Sequence, residues 1–131
     1  MEHRIINPWT WQERFGFNQG HEVSGAQRTL YLAGQVSLDA GGRVLHEGDM
    51  AGQIEACLDN IETVLDAAGM TLANVVRLTT YTTDLEGFAQ HRGASLDRLR
   101  AAGSQHVSTL LGVAGLAMPQ LLVEMEATAV A

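Results

Sequence analysis

Hydrophobic and polar residues alternate most regularly near the end of the chain, from residue 123 to residue 129. The apolar members are Val123, Met125, Ala127 and Ala129, and the polar members are Glu124, Glu126 and Thr128. An alternation with a period of two predicts a strand with one buried face. Two carboxylates therefore share the polar face. That face is either a solvated sheet edge, where charge opposes aggregation, or the wall of a cleft that holds a carboxylate for acid–base chemistry.

The same kind of pattern predicts strands and helices in alternation along the whole chain. Strands are predicted at 1–7, 21–26, 29–34, 75–83, 106–114 and 121–130, and helices at 49–68 and 85–102. Asp49 and Asp84 are typical N-caps, and Gly69 and Gly103 are typical helix ends. Two helices that alternate with the strands of one sheet should pack on one face of it. The other face needs a cover, which points to self-association.

Two side chains on the predicted helices carry candidate chemistry. Cys57 lies within an apolar stripe at helical spacing, which favours a buried structural thiol over a nucleophile. Arg92 falls on the inward phase of the second helix, where charged residues are uncommon. Its guanidinium either extends from the edge of the stripe to solvent or points into a site, where it would suit a planar carboxylate.

An aromatic segment near the N-terminus, Pro8–Phe17, holds both tryptophans and two of the three phenylalanines. Asn7 or Thr10 could cap a helical turn there, and Gly16 would end it. Such a cluster is either a hydrophobic plug or, if it lies at a cleft mouth or a subunit contact, a set of aromatic anchors.

Composition narrows the functions that the chain can have. Its 131 residues suit one domain, 1–131, and 15 acidic residues against 8 basic ones give a net charge of −7. An acidic chain without lysine is not expected to bind nucleic acid. The single cysteine favours a reduced, cytoplasmic location. The histidines have no metal-ligand spacing, no phosphate loop is present and no apolar run approaches a membrane span, so no metal, cofactor or membrane partner is expected.

Several stretches, taken in order, resemble one protein family. They are Leu30–Gln35, Gly48–Gln53 with Leu58–Ile61, Leu72–Tyr81, Asp84–Phe88 and Val123–Ala127. The chain resembles the YjgF/RidA (Rid) family over nearly its whole length. The resemblance implies an α+β, chorismate-mutase-like fold with a mixed sheet and two helices on one face. It also implies a homotrimer with a barrel-like core and small-molecule sites in the clefts between subunits.

The resemblance further implies an activity and a set of site residues. Members of the family hydrolyse enamines and imines of amino acids without a cofactor, and others are described as ribonucleases or as binding proteins. The family's catalytic glutamate corresponds to Glu124. Its substrate-binding positions correspond to Ser108, Leu110, Arg92, Gly34 and Phe17, and Thr109 beside Ser108 is a further candidate for binding the substrate. Ser108 stands where the family has a carboxylate-binding arginine, and a serine cannot replace that bidentate group.

The exchange at Ser108 leaves two hypotheses for the cleft. In the first, Arg92 restores the missing positive charge from a different wall, and the protein is a deaminase-like hydrolase. In the second, the cleft binds a neutral or differently shaped ligand through Ser108, Thr109 and His106, and the trimer is a binding or regulatory protein without catalysis. RNA cleavage is a third function of the family, and the acidic composition makes it the least favoured.

Overall fold

The structure is a computed structural model that describes residues 1–131. Its strands are β1 (Glu2–Ile6), β2 (Gly20–Ser24), β3 (Thr29–Gln35), β4 (Val75–Thr82), β5 (Val107–Gly112) and β6 (Val123–Val130). Its helices are α1 (Met50–Ala67), α2 (Leu85–His91) and α3 (Gly93–Ala101). Short 3-10 turns occupy Glu13–Phe15 and Leu72–Asn74. The predicted order of strands is confirmed, with ends that shift by at most two residues.

The main sheet has four strands in the order β3-β6-β4-β5. Strands β4 and β5 are parallel, whereas β6 runs antiparallel to both of its neighbours. Strands β1 and β2 form a separate antiparallel hairpin, so the prediction of a single sheet is wrong. Asn18 joins this N-terminal part to the main sheet, because its backbone N–H donates to the carbonyl of His106 at 3.0 Å.

Helix α1 packs on β6 and β3 of the main sheet. Asp49 caps it as predicted, since its carboxylate accepts the backbone N–H of Gly52 at 3.0 Å. Its inner face buries an apolar stripe, including Ile54, Leu58, Ile61 and Leu65, against the sheet. Burying a large aliphatic side chain contributes about 2 kcal/mol, so this stripe supplies much of the core.

The second predicted helix is in fact two helices, so the prediction of two helices on one face is corrected to three. The interruption falls at Arg92, directly before Gly93, a residue of low helix propensity. The carbonyl of Arg92 accepts the hydroxyl of Ser95 at 2.7 Å. The break places Arg92 at a corner between α2 and α3, where its side chain is not confined to a helix face.

The other face of the main sheet carries no helix, as the sequence predicts. Tyr31 stands 79% exposed on it, and Glu124 and Glu126 are half-buried there. We refer to this surface, formed by the outward residues of β3, β6, β4 and β5, as the open face. No helix in the structure combines the length and the apolar character that crossing a membrane requires.

Candidate functional site

A cavity of about 300 Å³ lies on the helix side of the main sheet, next to the edge strand β5. Its walls come from β4, β5, β6, α2, α3 and the aromatic segment. Leu78 and Met125 form part of its sheet wall, and Phe88, Leu96 and Leu99 form its helix wall. Most of the lining is apolar, which is usual for a site that binds a small organic molecule.

The aromatic segment closes one side of this cavity. Phe15 and Phe17 line it, and the ring of Trp11 meets both edge-on, with centroids 6.4 and 5.9 Å away. Gly16 has a φ of +74°, so the chain turns sharply between the two phenylalanines. Of the two interpretations of this segment, the cleft wall is the one that the structure supports.

Arg92 lies at the cavity with its guanidinium over the ring of Phe15, at 5.0 Å from the centroid. It forms no ion pair within the chain. Arg98 of α3 is different, because Glu55, Asp59 and Glu62 of α1 hold it at 2.9, 2.8 and 3.0 Å. Arg92 therefore keeps its charge available for an anion.

His106 lies in the cavity wall, immediately before β5, and is only 2% exposed. Burial lowers the pKa of His106 from 6.5 to about 4, because the charged ring would lose its hydration. The imidazole is therefore neutral near pH 7. Its Nδ1 lies 2.9 Å from the hydroxyl of Ser104, whereas its Nε2 has no partner within the chain and is not sealed from solvent.

Strand β5 divides its residues between the two faces of the sheet. Ser108 and Leu110 line the cavity, and the hydroxyl of Ser108 has no partner within the chain. Successive side chains of a strand point to opposite faces, so Thr109 points to the open face. The structure therefore separates Thr109 from the other predicted residues of this stretch.

Glu124 belongs to the open face. It pairs in register with Tyr81 of β4, and its side chain lies over Gly34 of β3, where there is no Cβ to collide with it. Its carboxylate accepts no hydrogen bond within the chain. Glu126 does, because the hydroxyl of Tyr81 donates to it at 2.6 Å, and this hydrogen bond raises the pKa of Tyr81.

The predicted site residues thus fall into two groups on opposite sides of one sheet. The cavity holds Ser108, Leu110, Arg92 and Phe17. The open face holds Glu124, Gly34 and Thr109. Since the sheet itself lies between them, one chain does not bring Glu124 and Ser108 into a common cleft.

Phe15 and Tyr81 are among the site residues that the sequence does not predict. Phe15 belongs to the aromatic segment, in which the sequence predicts only Phe17 as a site residue. Tyr81 lies in a strand rich in β-branched residues, a composition typical of a buried strand. Only the register of β4 with β6 brings it beside Glu124 and Glu126. Local patterns carry no signal for such a pairing.

Neither group contains the cysteine or a cluster of metal-ligating side chains. Cys57 is fully buried, as predicted, and burial followed by the charge of Glu124 raises its pKa to about 12. Such a thiol is not a nucleophile near neutral pH. The structure brings together no set of three or more histidine, cysteine, aspartate or glutamate side chains that could hold a metal ion.

Comparison with protein families and named proteins gives consistent matches. The family model described as Endoribonuclease L-PSP matches residues 14–131. The protein DfrA of Myxococcus xanthus is 35% identical over 74 residues, which is 56% of this chain and 56% of DfrA. The 2-iminobutanoate/2-iminopropanoate deaminase of Bos taurus is 36% identical over 62 residues, 47% of this chain and 45% of that protein. The match thus spans about half the length of these relatives.

A solved structure matches the whole chain. It is a protein of unknown function of the conserved Rid protein family, YyfB from Yersinia pestis. The two chains are 36% identical, and the superposition covers 100% of each with a TM-score of 0.89.

Proposed function

The chain belongs to the YjgF/RidA (endoribonuclease L-PSP) family, and from this premise we propose that it hydrolyses an imine or enamine to a carbonyl compound and ammonia. Its fold is the α+β, chorismate-mutase-like fold of that family. The observation that carries the proposal is the free carboxylate of Glu124, held over Gly34 without a hydrogen-bond partner. The deaminase name of several relatives supports the same reaction type.

Glu124 would act as the general base. In the proposed reaction, water adds its oxygen to the carbon of the C=N bond while Glu124 takes one of its protons. The nitrogen then gains protons and leaves as ammonia, and the carbon keeps the oxygen as a carbonyl group. The reaction consumes one water and needs no redox partner. Glu126 is less suited to this role because Tyr81 already occupies one of its oxygens.

We place the site between two copies of the chain. The cavity opens beside β5, an edge strand whose Leu110 and Leu111 are 38% and 45% exposed. A neighbouring copy that covers this edge with its open face would bring its own Glu124 to the cavity. Edge strands and bare sheet faces are usually covered, so a homotrimer with three such sites accounts for both features.

Arg92 and Ser108 would hold the substrate in this site. The unpaired guanidinium of Arg92 suits the carboxylate of an imino acid, and the Ser108 hydroxyl can donate or accept one hydrogen bond. A substrate bound by its carboxylate at Arg92 would rest its apolar part against Phe15 and Phe17. Arg92 thereby takes over the charge that Ser108 lacks.

The test is ammonia release from imino acids generated in situ by an amino acid oxidase. Glu124→Gln should lower the rate by about a hundredfold or more, since general base catalysis contributes that much. Glu126→Gln is the matched control, because a glutamine oxygen still accepts the Tyr81 hydroxyl, and it should stay near the wild-type rate. Equal rates for the wild type and Glu124→Gln on a broad panel of imino acids would overturn the proposal.

A second function, ligand binding without turnover, is favoured by Ser108. The residue lines the cavity with a free hydroxyl, and nothing in its side chain fixes a carboxylate bidentately. In this case oxo acids or neutral metabolites would raise the melting temperature of the protein. Ammonia release from each imino acid would be no faster with the protein than in buffer alone. Strong, salt-dependent RNA binding would instead indicate the nuclease function, which the net charge of −7 disfavours.

A further inference from the structure

The cavity has two polar ends with an apolar middle. Helix α3 and strand β5 are joined by the short connection 102–106. Leu99 lies near His106, because its carbonyl accepts the N–H of Ser104 at 3.0 Å and the Ser104 hydroxyl lies 2.9 Å from His106. Arg92, at the start of α3, lines the cavity seven residues before Leu99. At 1.5 Å per residue the two ends are separated by roughly 10 Å along the helix axis.

The middle of the cavity is wide enough for an aromatic ring. A cavity of about 150 Å³ is sufficient to bind benzene, and this one measures about 300 Å³. Phe15, Phe17 and Leu96 line its length. A ring placed among them would make edge or offset contacts with both phenylalanines.

At the His106 end of the cavity, the ligand should carry a group that can both donate and accept a hydrogen bond. If Ser104 donates to Nδ1, then Nε2 carries the proton and needs an acceptor; if Nδ1 donates to Ser104, then Nε2 needs a donor. A hydroxyl group satisfies either tautomer by rotating. A charged group at this end would lose its hydration without a counter-charge, so a neutral hydroxyl fits best.

At the Arg92 end of the cavity, the ligand should carry an anionic group. Arg14 also lies over Phe15, with its guanidinium 4.7 Å from the centroid on a side chain without an ion pair. Two guanidinium groups thus lie within 5.0 Å of Phe15, although only Arg92 lines the cavity itself, in a chain whose net charge is −7. This local excess of positive charge favours a carboxylate at the same end.

Building on the proposed function, we propose that the substrates are imino acids whose side chain carries a hydroxyl-bearing aromatic ring, with the carboxylate at Arg92 and the hydroxyl at His106. A para-hydroxyphenyl side chain places its two polar ends on opposite sides of the ring, as the cavity requires. His106 is then a specificity-determining residue. It contacts the distal end of the substrate and takes no part in hydrolysis.

The experiment uses four stable probes that cannot be hydrolysed, so that binding is measured apart from turnover. They are para-hydroxyphenylpropionate, phenylpropionate, propionate and para-hydroxyphenylpropionamide, titrated calorimetrically against the full-length protein. Wild type should bind para-hydroxyphenylpropionate about tenfold more tightly than phenylpropionate, since an unmatched polar group costs about that much. Propionate should bind more weakly than either, because it leaves the apolar walls uncovered.

Two variants test whether His106 binds the hydroxyl of the probe and Arg92 binds its carboxylate. His106→Leu should remove the preference for the hydroxyl while binding of phenylpropionate stays near the wild-type value. Arg92→Gln should remove the preference for the acid over para-hydroxyphenylpropionamide and keep the preference for the hydroxyl. His106→Asn, which keeps a polar group, serves if the leucine variant does not fold.

The outcomes separate this proposal from the reaction itself. If wild type binds propionate as tightly as para-hydroxyphenylpropionate, or prefers the unsubstituted ring, the proposed substrate class is wrong even if small imino acids are hydrolysed. If the predicted order of binding is found and no imino acid is hydrolysed, the ligand class stands and the hydrolytic function falls.

Discussion

Glu124 rests its carboxylate in the space that Gly34 leaves open. A Cβ built on Gly34 would overlap the carboxylate and lie 2.7 Å from its carbon. The backbone of Gly34 does not have a positive φ, so an alanine there would meet no backbone strain. Glycine is needed at this position because it has no Cβ to collide with the Glu124 carboxylate. Its ability to adopt a positive φ plays no part.

Gly34→Ala should therefore reduce hydrolysis more than it reduces stability. The new methyl group would push aside the end of a flexible side chain, which costs little, so the melting temperature should fall by a few degrees at most. Ammonia release should approach that of Glu124→Gln. Thermal melts and the oxidase-coupled assay on the same samples check both parts, and a variant with full activity would contradict this role of Gly34.

A site shared between copies predicts complementation. Glu124→Gln and Arg92→Gln are each expected to be inactive, but unfolding and refolding them together in equal amounts would create mixed oligomers. Random assembly then gives about one quarter of the sites both native groups. The ammonia assay on the mixture, with each variant refolded alone as the control, measures this. A mixture no more active than the two controls would contradict a site shared between copies.

His106 should make the protein less stable as the pH falls. Its pKa is 6.5 in the unfolded chain and about 4 in the folded chain, so the unfolded state binds more protons between these values. Stability from the neutral ring is fully present above pH 6.5 and is lost as the pH falls to about 4, by roughly 3 kcal/mol in total. Urea unfolding of the wild type and His106→Asn across this range should show the steeper loss in the wild type; parallel curves would contradict the shift.

Gln53 should be one of the most sensitive positions for stability. Its side chain is fully buried, donates to the carbonyls of His46 and Gln120 at 3.2 and 3.0 Å, and accepts the N–H of Leu122 at 2.8 Å. Gln53→Met keeps the volume but leaves these backbone groups unpaired, which should cost about 3 kcal/mol. Denaturant unfolding measures the loss. Gln27→Met, at an exposed side chain without such bonds, should change little.

Much of the fold could be predicted from the sequence because its signals are local. The alternation in β6, the N-caps Asp49 and Asp84 and the apolar stripe of α1 each depend on residues within a few positions of one another. The structure confirms all of these features. The sequence does not predict the break between α2 and α3 at Arg92, because the apolar stripe continues across it. The low helix propensity of one glycine, Gly93, is a weak signal.

The candidate site was predictable only in part. The sequence by itself determined which residue types are available: one buried thiol, two carboxylates on one strand face, and an arginine at an inward position. The tertiary structure decided which of them meet, because strand register and the two faces of the sheet are set by contacts distant in sequence. It put Ser108 and Arg92 on the helix side and Glu124 on the open face, and it made His106 a neutral polar group at the end of a cavity.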